Sequence, residues 1–279
     1  RPDLRRGRKG NGNGMNVAII GRGLIGGSLE LAARRAGHTA RIFPGRAAER
    51  PDLTAYDYVF VAVPPDAVVG VVEAIAPKLK AGATVVDIAG VKQPIYAELV
   101  KYAYEKKWYF VGGHPMAGKE RTGYANASAD LFDGASMILT PYPTYGRGVL
   151  DRLEALLREL GFARIVYTDP KHHDEMIAYT SQLCHLISSA YVRDELAQEH
   201  AGYSAGSFRD MVRVGAPDPD VWTELFLSNR AALVPVLSRF IARMTAFKTA
   251  LEADDRAAIR AALEESVAAK KRMEEGSSK

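Results

Sequence analysis

The sequence predicts an α/β domain built on a parallel sheet, followed by an all-α domain. Three observations predict it. From residue 15 to about 168, short β-branched apolar runs alternate with segments of helical period. Those runs are continuously apolar, as strands buried on both faces require. After about residue 169 the strand-like runs stop, and nearly all that follows carries a helical stripe. A chain of 279 residues is long enough for two such domains.

The elements follow in order. MNVAII (15–20) reads as the first strand and runs into GRGLIG (21–26). GSLELAARRAG (27–37) is helical, with Leu29, Ala32, Ala33 and Ala36 on one face and Gly37 as its stop. TARIF (39–43) is the second strand, and 44–55 is too short for a crossover helix, so that edge should be irregular. YDYVFVAVP (56–64), ATVVDIA (83–89), WYFVGG (108–113), SMILTP (136–141) and ARIVYT (163–168) are the remaining strands. Helices are expected over 66–80, 94–106 and 148–160. In the second domain, 172–198 is helical, 221–253 is one long apolar-striped segment and 254–275 is another. The expected domains are therefore 15–168 and 169–279.

Composition narrows the class. The chain is 47% hydrophobic and 25% charged, as in ordinary soluble proteins. No apolar run approaches the ~20 residues of a membrane span, and no apolar segment follows the basic N-terminus as a secretory signal would require. The net charge of +4 lies wholly in residues 1–14, which carry Arg1, Arg5, Arg6, Arg8 and Lys9 against Asp3. The body is neutral, so neither a nucleic-acid face nor a membrane partner is expected. The glycine-rich tail 1–14 is expected to be disordered. The single cysteine, Cys184, allows no internal disulfide and no zinc cluster, which points to a reducing, cytoplasmic setting with no metal. Its place in an apolar helical pattern predicts a buried thiol.

Gly21, Gly23 and Gly26 form GxGxxG between a strand and a helix, the context that gives this motif meaning. Gly21 permits a tight turn, Gly23 lets a pyrophosphate approach the backbone, and Gly26 lets helix and strand pack closely. Free N–H groups at the helix start then face the phosphates. This is the signature of a Rossmann-type dinucleotide-binding domain. Leu24 and Ile25 within the loop, with Val63 and Pro64 at the end of the third strand, complete the expected cofactor site. An acid at the end of the second strand would select NAD. Here FPGRAAER (43–50) places Arg46 there, and Arg22 lies inside the glycine loop. Two arginines suit a 2′-phosphate, so NADP is favoured over NAD, the alternative being solvated surface arginines.

Narrower motifs follow in order: IIGRGLIGGS (19–28), DIAGVK (87–92), GGHPMAGKERTGYANASADLFDGASMILTP (112–141), HHDEMIAYTSQLCH (172–185) and SAGSFRDMVRVGAPDPDVWTELFLSNR (204–230). Together they closely resemble the prephenate dehydrogenase family of tyrosine biosynthesis, over nearly all of 15–279. The resemblance implies a Rossmann domain followed by a helical dimerisation domain, hence a homodimer. It implies oxidation of prephenate to 4-hydroxyphenylpyruvate with loss of carbon dioxide. Hydride leaves C4 of the ring for the nicotinamide, the C4 hydroxyl proton goes to a base, and loss of the ring carboxylate makes the ring aromatic. His114 matches the family's catalytic histidine, and an imidazole suits a base near neutral pH.

Arg213 matches the family's substrate-binding arginine, since a guanidinium can grip a carboxylate through two parallel hydrogen bonds. His185 matches a second active-site histidine, beside the alternative of an ordinary core residue. Gly206 and Trp222 match positions that reach the active site from the partner subunit, with packing at a helical interface the alternative for Trp222. The pattern departs at DIAGVK, where Gly90 stands in place of a serine that contacts substrate and the catalytic histidine. A water or Lys92 would have to substitute, or His114 would have to be oriented differently; Lys92 itself reads more simply as a helix start. Rival readings are an arogenate dehydrogenase, a non-catalytic nucleotide-binding regulatory protein, and an RNA binder with a basic tail.

Overall fold

The structure is a computed structural model that describes residues 14–45, 51–119, 121 and 123–277, with only the backbone of 101–106. Arg46 and the tail 1–13 lie outside the described residues, as do the charges assigned to them.

Seven strands form one sheet: β1 (Asn16–Ile20), β2 (Thr39–Phe43), β3 (Tyr58–Val61), β4 (Thr84–Asp87), β5 (Tyr109–Pro115), β6 (Ser136–Pro141) and β7 (Arg164–Tyr167). Their order is β2-β1-β3-β4-β5-β6-β7. Alternate residues of one strand feed opposite layers, as the two-residue side-chain period requires. Val17 and Ile19 enter the core on one face of the sheet, with Leu29, Leu153 and Phe132. Ala18 and Ile20 enter the other, with Val68, Val72, Ile95 and Leu99. The first layer is covered by α1 (Leu24–Arg35) and α4 (Arg147–Glu159), the second by α2 (Pro65–Ile75) and α3 (Gln93–Lys106).

The expectation of a wholly parallel sheet needs one correction. β5 and β6 pair antiparallel, with His114 opposite Ile138, while the other five pairings are parallel. A parallel neighbour needs a crossover, usually a helix. Between β5 and β6 the described chain offers only a short 3₁₀ turn at Tyr124–Asn126, so the chain reverses instead. Two helix boundaries also differ. α1 begins at Leu24, three residues before its expected start, and α2 stops at Ile75 because Pro77 forces a 3₁₀ turn at Ala76–Lys78.

The second domain holds α5 (Pro170–Ile177), α6 (Leu183–Tyr191), α7 (Gly206–Val212), α8 (Pro219–Ser228), α9 (Arg230–Glu252) and α10 (Arg256–Ser277). A π-helical turn, Ala178–Gln182, joins α5 to α6, so the continuous helix expected over 172–198 is broken in register and ends at Tyr191. The long segment 221–253 is likewise not one helix. α8 and α9 meet at Asn229 with a 93° bend. The cause is tertiary: the buried Asn229 amide donates to the Asp174 carbonyl (2.9 Å) and to Gln182 Oε1 (2.8 Å). No single helix among the described residues is long and apolar enough to cross a membrane.

This domain has a small core of its own, Ala178, Leu183, Ala232, Leu233 and Val236. Leu237 and Phe240 pack partly against it, while another apolar stripe of α9 is left open. Val234, Ile241, Met244 and Leu251 recur at seven- and three-residue steps and are all exposed. Leu263 and Val267 of α10 are exposed as well. Cys184, expected to be buried, is exposed; its register falls on the solvent side of α6.

Candidate active site

The carboxyl ends of the parallel strands meet above the glycine turn. Gly21 sits at φ +114°, and a Cβ there would lie 2.1 Å from the Ala62 carbonyl oxygen, so no other residue fits. A Cβ on Gly26 would lie 2.1 Å from the Gly21 oxygen, which is the close helix–turn approach expected. Gly23, in contrast, faces open space and caps α1 with no side chain occupying its free N–H groups. An anion would find unpartnered donors there at the positive end of the helix. Leu24 is buried beneath the loop and Ile25 packs partly against the sheet core. Val63 lies beside both Gly21 and Gly45, with Pro64 next to it at the N-cap of α2. The loop thus fits a dinucleotide pyrophosphate. Arg22 holds its guanidinium 4.5 Å from the Tyr124 ring centroid. The described end of β2, Phe43–Gly45, carries no carboxylate.

His114 lies near the end of β5, two residues beyond Gly112, which pairs with Asp87 at the carboxyl end of β4. It is partly exposed, while the groups behind it are buried. Its Nδ1 lies 3.0 Å from His173 Nε2. His173 Nδ1 in turn lies 2.7 Å from Asp174 Oδ1. Asp174 also accepts the backbone N–H groups of Lys92 (2.8 Å) and Gln93 (2.9 Å), fastening α5 to the start of α3. Burial, with the Lys92 ammonium nearby, holds the His114 imidazole well below its ordinary protonation range.

Gly90 stands directly before His114. A Cβ built on it would lie 3.9 Å from His114 Nε2 and 3.2 Å from Leu225 Cδ2 on α8. The Cε1–Nε2 edge therefore faces Gly90, while Nδ1 faces His173. Lys92 is not the substitute donor that the missing serine left open. It is fully buried, and its ammonium binds Asp87. Burial pushes Lys92 down and Asp87 up, each acting as the other's counter-charge. His114 is instead oriented by His173. The motif HHDE displays this residue, but the sequence reading gave it no role. The signal was there: 173, 174, 177 and 178 share the buried side of one helix, which puts a histidine and an aspartate inside.

The other expected site residues lie on the helical domain. His185 is partly exposed, bonded through Nδ1 to the Ser181 carbonyl (3.0 Å) and stacked on Trp222 of the same chain. Trp222 belongs to α8, one turn before the Leu225 that reaches Gly90. Gly206 opens α7 and is exposed, with nothing within 4 Å of a Cβ there. Arg213 caps the C-terminal end of α7, exposed, with no ion pair among the described residues. No group of three or more metal-ligating side chains occurs among the described residues.

The family description "Prephenate dehydrogenase, nucleotide-binding domain" matches residues 13–167, and "Prephenate dehydrogenase, dimerization domain" matches residues 169–265. The chain belongs to the prephenate dehydrogenase family. Among curated members, it is 34% identical over 205 residues to a cyclohexadienyl dehydrogenase of Zymomonas mobilis, covering 71% of this chain and 69% of the relative. It is 26% identical over 266 residues to the prephenate dehydrogenase of Bacillus subtilis, covering 86% and 71%. Among solved structures of the family, the Aquifex aeolicus prephenate dehydrogenase in complex with hydroxyphenyl propionate and NAD+ superposes with a TM-score of 0.77 at 25% identity, over 94% of this chain and 98% of that one. As a family member the chain is an oxidoreductase with a nucleotide-binding domain for NAD(P).

Proposed function

We propose that this chain catalyses the oxidative decarboxylation of prephenate to 4-hydroxyphenylpyruvate, with a nicotinamide dinucleotide as hydride acceptor. The observation that carries the reading is His114, bonded at Nδ1 to buried His173 while its Cε1–Nε2 edge faces Gly90. The bound dinucleotide supplies the hydride acceptor. The chain does the rest. The Gly21–Gly26 turn and the first N–H groups of α1 seat the pyrophosphate. His114 Nε2 takes the C4 hydroxyl proton, which lets the hydride depart and the ring carboxylate leave as carbon dioxide. Arg213 has no ion pair among the described residues, and we assign it to a substrate carboxylate, with His185 and Trp222 lining the same space and Gly206 at the start of the arginine's helix. NADP is the proposed preferred cofactor, on Arg22 and Arg46 and the lack of an acid at Phe43–Gly45. Two copies associate through the helical domain.

One assay tests this reading: reduced-cofactor absorbance with prephenate and with arogenate, each with NAD and NADP. Turnover of prephenate is expected. Turnover of arogenate alone would move the substrate to the form bearing an ammonium in place of the keto group. No turnover of either by folded, cofactor-binding protein would leave a nucleotide-binding regulator.

A further inference from the structure

Behind His114 lies a buried chain of polar groups that the reaction just described does not use. His114 Nδ1 meets His173 Nε2 at 3.0 Å, and His173 Nδ1 meets Asp174 Oδ1 at 2.7 Å. Both His173 and Asp174 are buried. The directions of these bonds can be worked out from one end. Asp174 receives three donors: two backbone N–H groups, from Lys92 and Gln93, and the His173 ring. A carboxylate only accepts, so His173 must carry its proton on Nδ1. A neutral His173 then presents a bare Nε2. That nitrogen can only accept, so the proton of a neutral His114 must sit on Nδ1. The Nε2 of His114, on the edge facing Gly90, is left as a lone pair.

The charges point the same way. Among the described residues, the titratable groups acting on His114 or bonded to its partners are His173 and Asp174 from α5, Lys92 at the start of α3 and Asp87 from β4. Leu225 of α8 lies against Gly90, and Ile138 of β6 pairs with His114 in the sheet register. Asp87 and Lys92 bind each other, and the pair sums to zero wherever its proton resides. With both imidazoles neutral, the cluster carries the single negative charge of Asp174. Proton uptake by His114 brings it to zero, so Asp174 offsets part of the burial cost that holds this imidazole below its ordinary range.

We propose that His173 and Asp174 are positioning residues: they hold His114 in the Nδ1–H tautomer with a bare Nε2 toward the substrate space, and Asp174 balances the charge that His114 acquires. This rests on His114 being the base of the proposed reaction. It also explains how a chain with glycine at position 90 keeps its histidine oriented. The hydrogen-bond partner stands at Nδ1, in the helical domain.

Two measurements test it, one of which needs no substrate. In protein labelled with ¹⁵N-histidine, the imidazole signal that vanishes in His114→Asn should report Nδ1–H and a bare Nε2 in the free enzyme. In His173→Leu it should move toward the Nε2–H form. A wild-type signal showing Nε2–H would overturn the proposal, whatever the substrate proves to be. The second measurement is kinetic. His173→Leu should lower kcat on the order of 10²-fold with both KM values within about threefold. His173→Gln should recover a large part, since its amide can accept from His114 and donate to Asp174. Asp174→Asn removes the balancing charge and should shift the acid limb of kcat/KM to lower pH. Folded His173→Leu with kcat within threefold of wild type would overturn the proposal, as would a leucine variant that keeps kcat but loses substrate affinity. If prephenate is not turned over at all, the NMR result still decides the tautomer.

Discussion

The rings of His185 and Trp222 lie stacked, with centroids 3.6 Å apart and 28° between their planes. The pair joins α6 to α8, and α8 is the helix that leans over Gly90. Such an aromatic contact contributes about 0.5–1.5 kcal/mol beyond the area it buries. A double-mutant cycle of His185→Ala and Trp222→Ala, read by denaturant unfolding, should give a coupling of that size. A coupling near zero would mean that the stack does not brace the site.

If His114 is the base, His114→Asn should keep prephenate binding and lose turnover by on the order of 10²–10⁴-fold. Unchanged turnover would remove it from that role. The pH profile offers a second check. A base must be neutral to act, and burial, with the Lys92 ammonium nearby, lowers the pKa of His114. The acid limb of kcat/KM should therefore lie below the ordinary histidine value of about 6.5. The same shift bears on stability. Below about pH 6.5 the unfolded chain binds a proton at this site that the folded chain refuses, so stability should fall with pH from there until the folded group also titrates. Equilibrium unfolding of wild type against His114→Asn across that range isolates this contribution. An acid limb above 6.5 would contradict the geometry.

Arg213 should bind substrate without taking part in the chemistry. Arg213→Ala should raise KM for prephenate by roughly ten- to a hundred-fold, with kcat and cofactor affinity nearly unchanged. Arg213→Lys should recover only part, because lysine lacks the paired fork. Arg209 sits one turn earlier on α7 and is also exposed. If Arg209→Ala loses prephenate affinity and Arg213→Ala does not, the wrong arginine has been assigned.

Cofactor choice turns on Arg22 and Arg46. Replacing both with neutral residues should weaken NADP far more than NAD. Tighter binding of NAD than of NADP by the wild-type protein would reject the preference.

The exposed stripe Val234, Ile241, Met244 and Leu251 should be covered by a second copy. Light scattering at micromolar concentration should give the mass of a dimer. A monomer would refute it, and Ile241→Asp should shift the distribution toward monomer.

Much of this was legible in the sequence because it is local. The seven strands announce themselves as runs such as NVAII and YVFV, and the glycine turn is set by sterics at Gly21 and Gly26. The place of His114 at a strand's end could be read from GGHPMAGKE. What could not be read depends on partners distant in the chain. The reversal at β6 follows from the lack of a crossover helix, which no property of SMILTP reveals. The bend at Asn229 interrupts an unbroken apolar pattern, because its amide answers Asp174 and Gln182, 55 and 47 residues away. His173 was passed over because an exposed and a buried histidine look alike in HHDE until the helix is given a register.

The π turn at Ala178–Gln182 amounts to one residue more than a regular helix would need. Each residue advances a helix by roughly 100°. Deleting one residue within the turn would let α5 and α6 fuse into a single straighter rod. Everything after it would then rotate by about a quarter turn relative to Asp174. Gln182 would swing away from Asn229, and His185 would leave the face of Trp222. Such a chain could gain helical regularity and yet lose the alignment between its two domains. The irregular turn is thus a phase adjuster: it lets one stretch of helix address the sheet domain at its start and α8 at its end.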